Sequence, residues 1–122
     1  MLKVLETWVS GLLKIKPGKI LGVGCGYGFW GFVVKARMPD VYIIGVDVDV
    51  DKLSLAKRIY DRVIAGDVRS KSFEGEFDAV LAIEVLHGFT PSDLEGVLDL
   101  LCRVGKVVIA TFPSVRGKRD LL

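Results

Sequence analysis

The stretch Lys19-Ile20-Leu21-Gly22-Val23-Gly24-Cys25-Gly26-Tyr27-Gly28-Phe29-Trp30-Gly31 opens as an apolar run and then breaks into glycine at nearly every second position. It reads as a buried strand entering a tight loop. Glycines at Gly22, Gly24, Gly26 and Gly28 permit left-handed backbone and clear the loop of Cβ atoms, so a ligand can lie against bare main chain. Phe29 to Arg37 then reads as a helix. Its N-terminus offers N–H groups and the positive end of a dipole to a nucleotide-like or carboxylate-bearing ligand. Turns also collect glycine, so this loop alone does not establish a ligand.

Composition bounds the rest. A chain of 122 residues reads as a single domain, 1–122, with an N-terminal helix to residue 16, a core over 19–113 and a basic tail over 114–122. A 51% hydrophobic content suits central strands covered on both faces. The net charge of +2 gives no reason to expect nucleic acid as a partner. No apolar run approaches the ~20 residues of a membrane span, and the N-terminal stretch lacks the pattern of a signal peptide, so no membrane role is expected. Cys25 and Cys102 form no C-x-x-C pair. A reducing cytoplasm is the expected compartment, and no metal site is expected.

Along the chain, Leu2, Leu5, Trp8 or Val9, Leu12 and Leu13 recur at helical spacing until Pro17-Gly18. Strands are predicted at Lys19–Val23, Val41–Val46, Arg62–Ala65, Phe77–Ile83 and Lys106–Phe112. The helix from Phe29 is apolar on nearly every side, so it should pack on the sheet and on something else besides. A further helix with Leu53, Ala56, Ile59 and Tyr60 on its apolar face is capped by Asp49 or Asp51. Val68 to Glu76 has no helical pattern. Thr90-Pro91-Ser92-Asp93 starts a last helix, with Thr90 as N-cap, Pro91 first and an acid third, and Leu94, Val97, Leu98 and Leu101 on one face.

Strands alternating with helices specify an α/β fold, a doubly wound, mostly parallel, Rossmann-like sheet with right-handed crossovers. With strand order 3-2-1-4-5, the reversal of direction lies between the first and fourth strands, where ligands bind beyond the carboxyl ends. The glycine loop and Ile83 to His87 would face each other there.

The first four strands each end in something chemically useful. Asp47 closes the second strand about twenty residues beyond the loop, placed to accept hydrogen bonds from two ribose hydroxyls. Its alternative is a helix-flanking acid, although Asp49 and Asp51 are better placed to cap. Asp67 closes the third strand, either as acceptor for an adenine amino group or as a turn residue after Gly66. Glu84 and His87 follow the fourth, either as catalytic base or as a solvated acid and a turn histidine.

With these residues the chain resembles the class I S-adenosylmethionine-dependent methyltransferases. The resemblance rests on Ile20 to Gly28, on Gly45-Val46-Asp47-Val48-Asp49 with Leu53 following, on Gly66-Asp67-Val68, and on Phe77-Asp78-Ala79-Val80 leading into Glu84-Val85-Leu86-His87. It implies S-adenosylmethionine as cofactor and methyl transfer to an acceptor by in-line displacement. The glycine loop, Gly22, Gly24, Cys25, Gly26 and Gly28, would hold the methionine part. Asp47 with Val48 would hold the ribose, and Asp67 with Val68 the adenine. The backbone around Ile83 would lie beside the sulfonium, with Glu84 or His87 as base. Two features depart from the family. Gly22 stands where an acid usually helps hold the ligand's ammonium group, and five strands are read where the family has seven.

Two other readings stay open. Gly26-x-Gly28-x-x-Gly31 also fits a dinucleotide fingerprint, which would make the chain an NAD-type oxidoreductase, although Gly26 falls three residues after Val23 rather than directly off the strand. A non-catalytic nucleoside-binding or partner subunit is the other. Val107 to Ala110 is an uninterrupted apolar run expected at the sheet's edge, so a homodimer or a hetero-complex through that edge is expected.

Overall fold

The computed structural model describes residues 2–73 and 76–111. Helix α1 (Leu2–Ile15) leads into β1 (Lys19–Val23). There follow α2 (Phe29–Arg37), β2 (Tyr42–Asp47), α3 (Val50–Ala56) and β3 (Arg62–Ala65). A 3-10 turn (Val68–Ser70), β4 (Ala79–Ala82), a second 3-10 turn (Leu86–Gly88), α4 (Pro91–Val104) and β5 (Val108–Ala110) complete the described chain. The five strands form one sheet of order β3-β2-β1-β4-β5, with every pair parallel, as the alternation of elements predicts.

Register brings the strand ends out together. Val23 lies level with Val46 and Asp47 with Ala65, while Gly22 pairs with Leu81. The loops after β1, β2, β3 and β4 therefore emerge on one rim. Period-two alternation splits the strand side chains between two cores. Ile20, Ile43, Ala79 and Leu81 face α1, α2 and α3, where they meet Leu12, Val34, Leu53 and Ala56. Leu21, Val23, Ile44, Val46 and Val80 face the other side, where Val97 and Leu101 of α4 cover them. Both α4 residues are fully buried, so Leu101→Ala should cost about 2–5 kcal/mol.

Element edges differ from expectation where side chains have other duties. The fourth strand was expected from Phe77 but begins at Ala79, because the Asp78 carboxylate turns to accept the Gly18 and Lys19 N–H groups at 2.8 and 3.0 Å. Those bonds hold the Asp78 carboxyl below its ordinary range. Its other expected end, Ile83, falls outside because Glu84 takes a left-handed φ of 56° and turns the chain. The second strand begins at Tyr42 rather than Val41 and includes Asp47. The fifth is shorter, Val108–Ala110, and the predicted Phe112 lies outside the described residues.

Helix α3 stops at Ala56, so Ile59 and Tyr60 lie in the turn beyond it, with Tyr60 still buried. Thr90 caps α4, its hydroxyl accepting the Asp93 N–H at 3.2 Å. Helix α2 packs on the sheet and, through Trp30 edge-on to Trp8 at 5.6 Å, on α1. Its outward residues Phe29 and Phe32 are exposed.

Candidate functional site

The β1–α2 loop is shaped by three left-handed glycines, Gly24 (φ 64°), Gly26 (φ 54°) and Gly28 (φ 98°). Gly24 also admits a neighbour: a Cβ there would lie 2.3 Å from Val85 Cγ2, so only glycine lets the β4 loop close against the β1 loop. The loop is tethered to β2. Gly24 and Cys25 both donate N–H to the Val46 carbonyl, at 2.8 and 3.1 Å. Gly26 donates to Asp47 Oδ2 at 2.7 Å, and Asp49 N–H reaches Asp47 Oδ1 at 2.8 Å. The Asp49 side chain instead caps α3, accepting from Asp51 and Lys52. Two acids two residues apart thus separate into a helix cap and a carboxylate at the cleft wall.

A cavity of about 220 Å3 opens between these loops at the reversal of strand order. Val23 and Gly24 line it from β1, Val46, Asp47 and Val48 from β2, and Gly66, Asp67 and Val68 from β3. Val85, Gly88 and Phe89 close it from the β4 side. Its walls combine valine and phenylalanine surfaces with two carboxylates and bare glycine backbone, the mostly apolar lining with a few placed polar groups that is typical of small-molecule sites.

Asp67 carries a second feature. Its Oδ2 accepts Arg69 Nη2 at 2.6 Å, and its Oδ1 accepts the Arg69 backbone N–H at 2.8 Å and Nε at 3.0 Å. The Arg69 side chain, with that backbone N–H, holds the Asp67 carboxyl down to about 2. The guanidinium also lies 5.2 Å from the Phe89 ring centroid and 3.5 Å from Asp93. It therefore joins the β3 wall to the β4 wall.

Of the residues singled out from the sequence, Gly24, Asp47, Val48, Asp67 and Val68 line this cavity. The others lie around it. Gly22 sits inside β1 with its missing side chain facing Tyr60, 3.2 Å from the ring. Cys25 and Ile83 are buried in the core under α1 to α3, and burial, with Asp47 nearby, pushes the Cys25 thiol up to about 12. Gly26 and Gly28 shape the loop from behind. Glu84 and His87 are exposed on the β4 loop beyond the lining residues. The Glu84 N–H donates to Thr111 Oγ1 at 2.7 Å, which ties that loop to the end of β5. Val85 lies in the segment Ile83 to His87 that the sequence sets opposite the glycine loop, whereas Gly88, Phe89, Arg69 and Thr111 carry no signal of a site role of their own in the sequence. Gly88 and Phe89 follow directly on His87, and adjacency to that residue is the signal that points to them.

Residues 20–107 match the family model described as "Methyltransferase domain". The chain belongs to this methyltransferase family. The resemblance to the class I S-adenosylmethionine-dependent enzymes, drawn from the strand ends, holds at the level of the family. The methyltransferase domain is 32% identical over 94 residues to the ribosomal RNA small subunit methyltransferase C of Haemophilus influenzae (strain PittEE), covering 72% of this chain and 28% of that one. A crystal structure of the PH0226 protein from Pyrococcus horikoshii OT3 superposes with a TM-score of 0.79 at 29% identity, covering 97% of this chain and 55% of that one. The plantazolicin methyltransferase BpumL in complex with SAH shares the fold, with a TM-score of 0.72 at 19% identity over 88% of this chain and 45% of that one. The chain thus spans between about a quarter and about half of these proteins' lengths. Among the described residues no helix is long and apolar enough to cross a membrane, and no three His, Cys, Asp or Glu side chains group to hold a metal ion.

Proposed function

We propose that this methyltransferase domain, taken as one unit over 1–122, binds S-adenosylmethionine in the cleft and transfers its methyl group to an acceptor. The observation that carries the reading is the convergence of four strand ends on one cavity, with Asp47 on the β2 wall and Asp67 with Val68 on the β3 wall. Asp47 keeps lone pairs for two ribose hydroxyls beyond the two N–H groups it already accepts. Val46, Val48, Val68 and Phe89 supply the apolar surface against which an adenine lies, and the Gly24 main chain lines the same cavity beside the methionine portion.

A bound sulfonium supplies an already activated methyl group. The chain's share is to align the acceptor and keep water out, and alignment of this kind contributes up to ~7 to 11 kcal/mol. A base is required only for an acceptor that arrives protonated, and Glu84 and His87 flank the cleft on the β4 side for that duty. The relatives' names, one a ribosomal RNA enzyme and one a plantazolicin enzyme, differ in acceptor. The reading therefore fixes the donor and leaves the acceptor open.

Calorimetry with S-adenosylhomocysteine and with NAD as separate titrants tests it. Binding of the first alone is expected. Binding of NAD without response to the methionine nucleosides would move the protein to a nicotinamide-dependent class.

A further inference from the structure

The acid that follows β3 has no lone pair to spare. Among the described residues that line the cleft, only Asp47 and Asp67 carry polar side chains. Asp47 stands on the β2 wall and serves the Gly26 and Asp49 N–H groups, so Asp67 is the side-chain acceptor of the β3 wall. A carboxylate offers about four lone-pair sites, two on each oxygen. Asp67 Oδ1 accepts the Arg69 backbone N–H at 2.8 Å and Nε at 3.0 Å. Oδ2 accepts Nε at 3.1 Å and Nη2 at 2.6 Å. Each site faces a donor, and every donor comes from Arg69.

The guanidinium is held on its other sides as well. It lies 5.2 Å from the Phe89 ring centroid, and its Nη1 is 3.5 Å from Asp93 Oδ2. The turn that carries it is pinned too, because the Asp67 carbonyl accepts the Ser70 N–H at 3.0 Å and the Ser70 hydroxyl at 2.9 Å. A neutral amino group that entered the cleft and sought Asp67 would have to displace a charged donor from all of these contacts. Charge-assisted hydrogen bonds are about twice as strong as neutral ones, so that exchange runs uphill.

A second cation stands beside the first. Lys71 reaches back over Gly66, which lines the cleft, with its Nζ 2.8 Å from where a Cβ on that glycine would stand. The β3 wall therefore turns a satisfied acid, flanked by a guanidinium and an ammonium group, toward the edge of a bound base.

We propose that Arg69 sets the base specificity of the cleft: by filling Asp67 it removes the acceptor for an exocyclic amino group, so a purine is held by shape and apolar contact and its amino group is not read. This rests on the cofactor reading given above and refines it, because the ligands admitted are homocysteine and methionine nucleosides whose purine carries either an amino group or hydrogen at that position. Arg69 acts through Asp67 and is a positioning residue. The adenine role that the sequence suggests for Asp67 gives way to the holding of Arg69.

Calorimetry with S-adenosylhomocysteine and with its desamino analogue, in which hydrogen replaces the amino group of the base, tests the proposal. The wild type should bind the two within about threefold of each other. Arg69→Met keeps an apolar chain beside Phe89 and leaves Oδ2 without its donors. That variant should prefer the amino compound by about ten- to hundredfold, the scale of one hydrogen bond to a charged acceptor. Adding Asp67→Ala to it should return the ratio to the wild-type value. A purely structural role for Arg69 would move both affinities together and leave their ratio alone. A wild-type preference of about tenfold or more for the amino compound overturns the proposal while the cofactor reading stands. An unchanged ratio in Arg69→Met, shown to be folded by its urea midpoint, also overturns it. The wild-type ratio needs no variant, so it decides the matter even where Arg69→Met does not fold. Failure of the wild type to bind either compound overturns the cofactor reading and the proposal with it.

Discussion

Asp47 and Asp67 show how a carboxylate's duty follows from the donors around it. Asp47 accepts two backbone N–H groups, one on each carboxylate oxygen, and lines the cleft. Its replacement by alanine should weaken S-adenosylhomocysteine binding by about 1.5–3 kcal/mol, the scale for hydrogen bonds to a charged group, and calorimetry reads this directly. An unchanged affinity would assign the ribose contact to another group. Asp67 is held by Arg69, and its folded-state pKa of about 2 lies below the ordinary 3.8. A depressed carboxyl stabilises the fold above its unfolded pKa and loses that contribution as pH falls through the folded value. The window is therefore from about pH 4 down to about pH 2. Arg69→Gln should lower the urea midpoint at pH 6 slightly, since the pair is partly exposed, and the gap from wild type should close by pH 2. A gap that stays constant with pH would show that the ion pair is not its source.

At the scale of elements, the loop after β4 combines strain with a tether. Glu84 sits at φ 56°, a conformation that costs a residue with a side chain about 1–2 kcal/mol, and its N–H is held by the Thr111 hydroxyl. Strain at a cleft persists where the surrounding structure holds it in place. Glu84→Gly should therefore leave the unfolding free energy from urea titration unchanged or raise it by up to about 1 kcal/mol, while removing the carboxylate. If Glu84 serves as base, turnover falls although stability does not. If turnover survives replacement of both Glu84 and His87, positioning is the whole mechanism. The element order, the sheet order and the capping of α3 and α4 were legible in the sequence, because period-two runs, Asp49 and Thr90-Pro91 each act through local chemistry. The edges of β4 were not, since Asp78 and Glu84 leave the strand for reasons that lie in residues 18, 19 and 111. Nor was the space around the Tyr60 ring, which a Cβ on Gly22, Gly31 or Gly45 would crowd. Gly22, Gly31 and Gly45 are spaced as loop, helix and strand residues, and only the parallel stacking of β1, β2 and α2 reveals that they share one neighbour. Arg69 was illegible for the same reason, being brought against Phe89 by the 3-10 turn after β3.

For the whole molecule, the sheet formed by the described residues has β3 and β5 at its edges, and the two edges differ in character. Strand β3 begins with exposed Arg62, which discourages pairing with another chain. Strand β5 is Val108-Ile109-Ala110, each half-buried, and among the described residues it pairs with β4 alone. Ile109 packs toward the core under α1 to α3, while Val108 and Ala110 pack toward α4, so the strand is apolar on both faces. A strand of that composition is expected to be covered along the edge away from β4 as well as on its faces. Closed two-fold assemblies are the commonest way for a chain to cover such a surface with itself, so we expect a homodimer through β5. Sedimentation at micromolar concentration should then give a mass of two chains. Ile109→Lys should shift that mass toward one chain, provided the urea midpoint shows the variant folded. A clean single-chain mass for the wild type would show that the edge is not covered by a second copy.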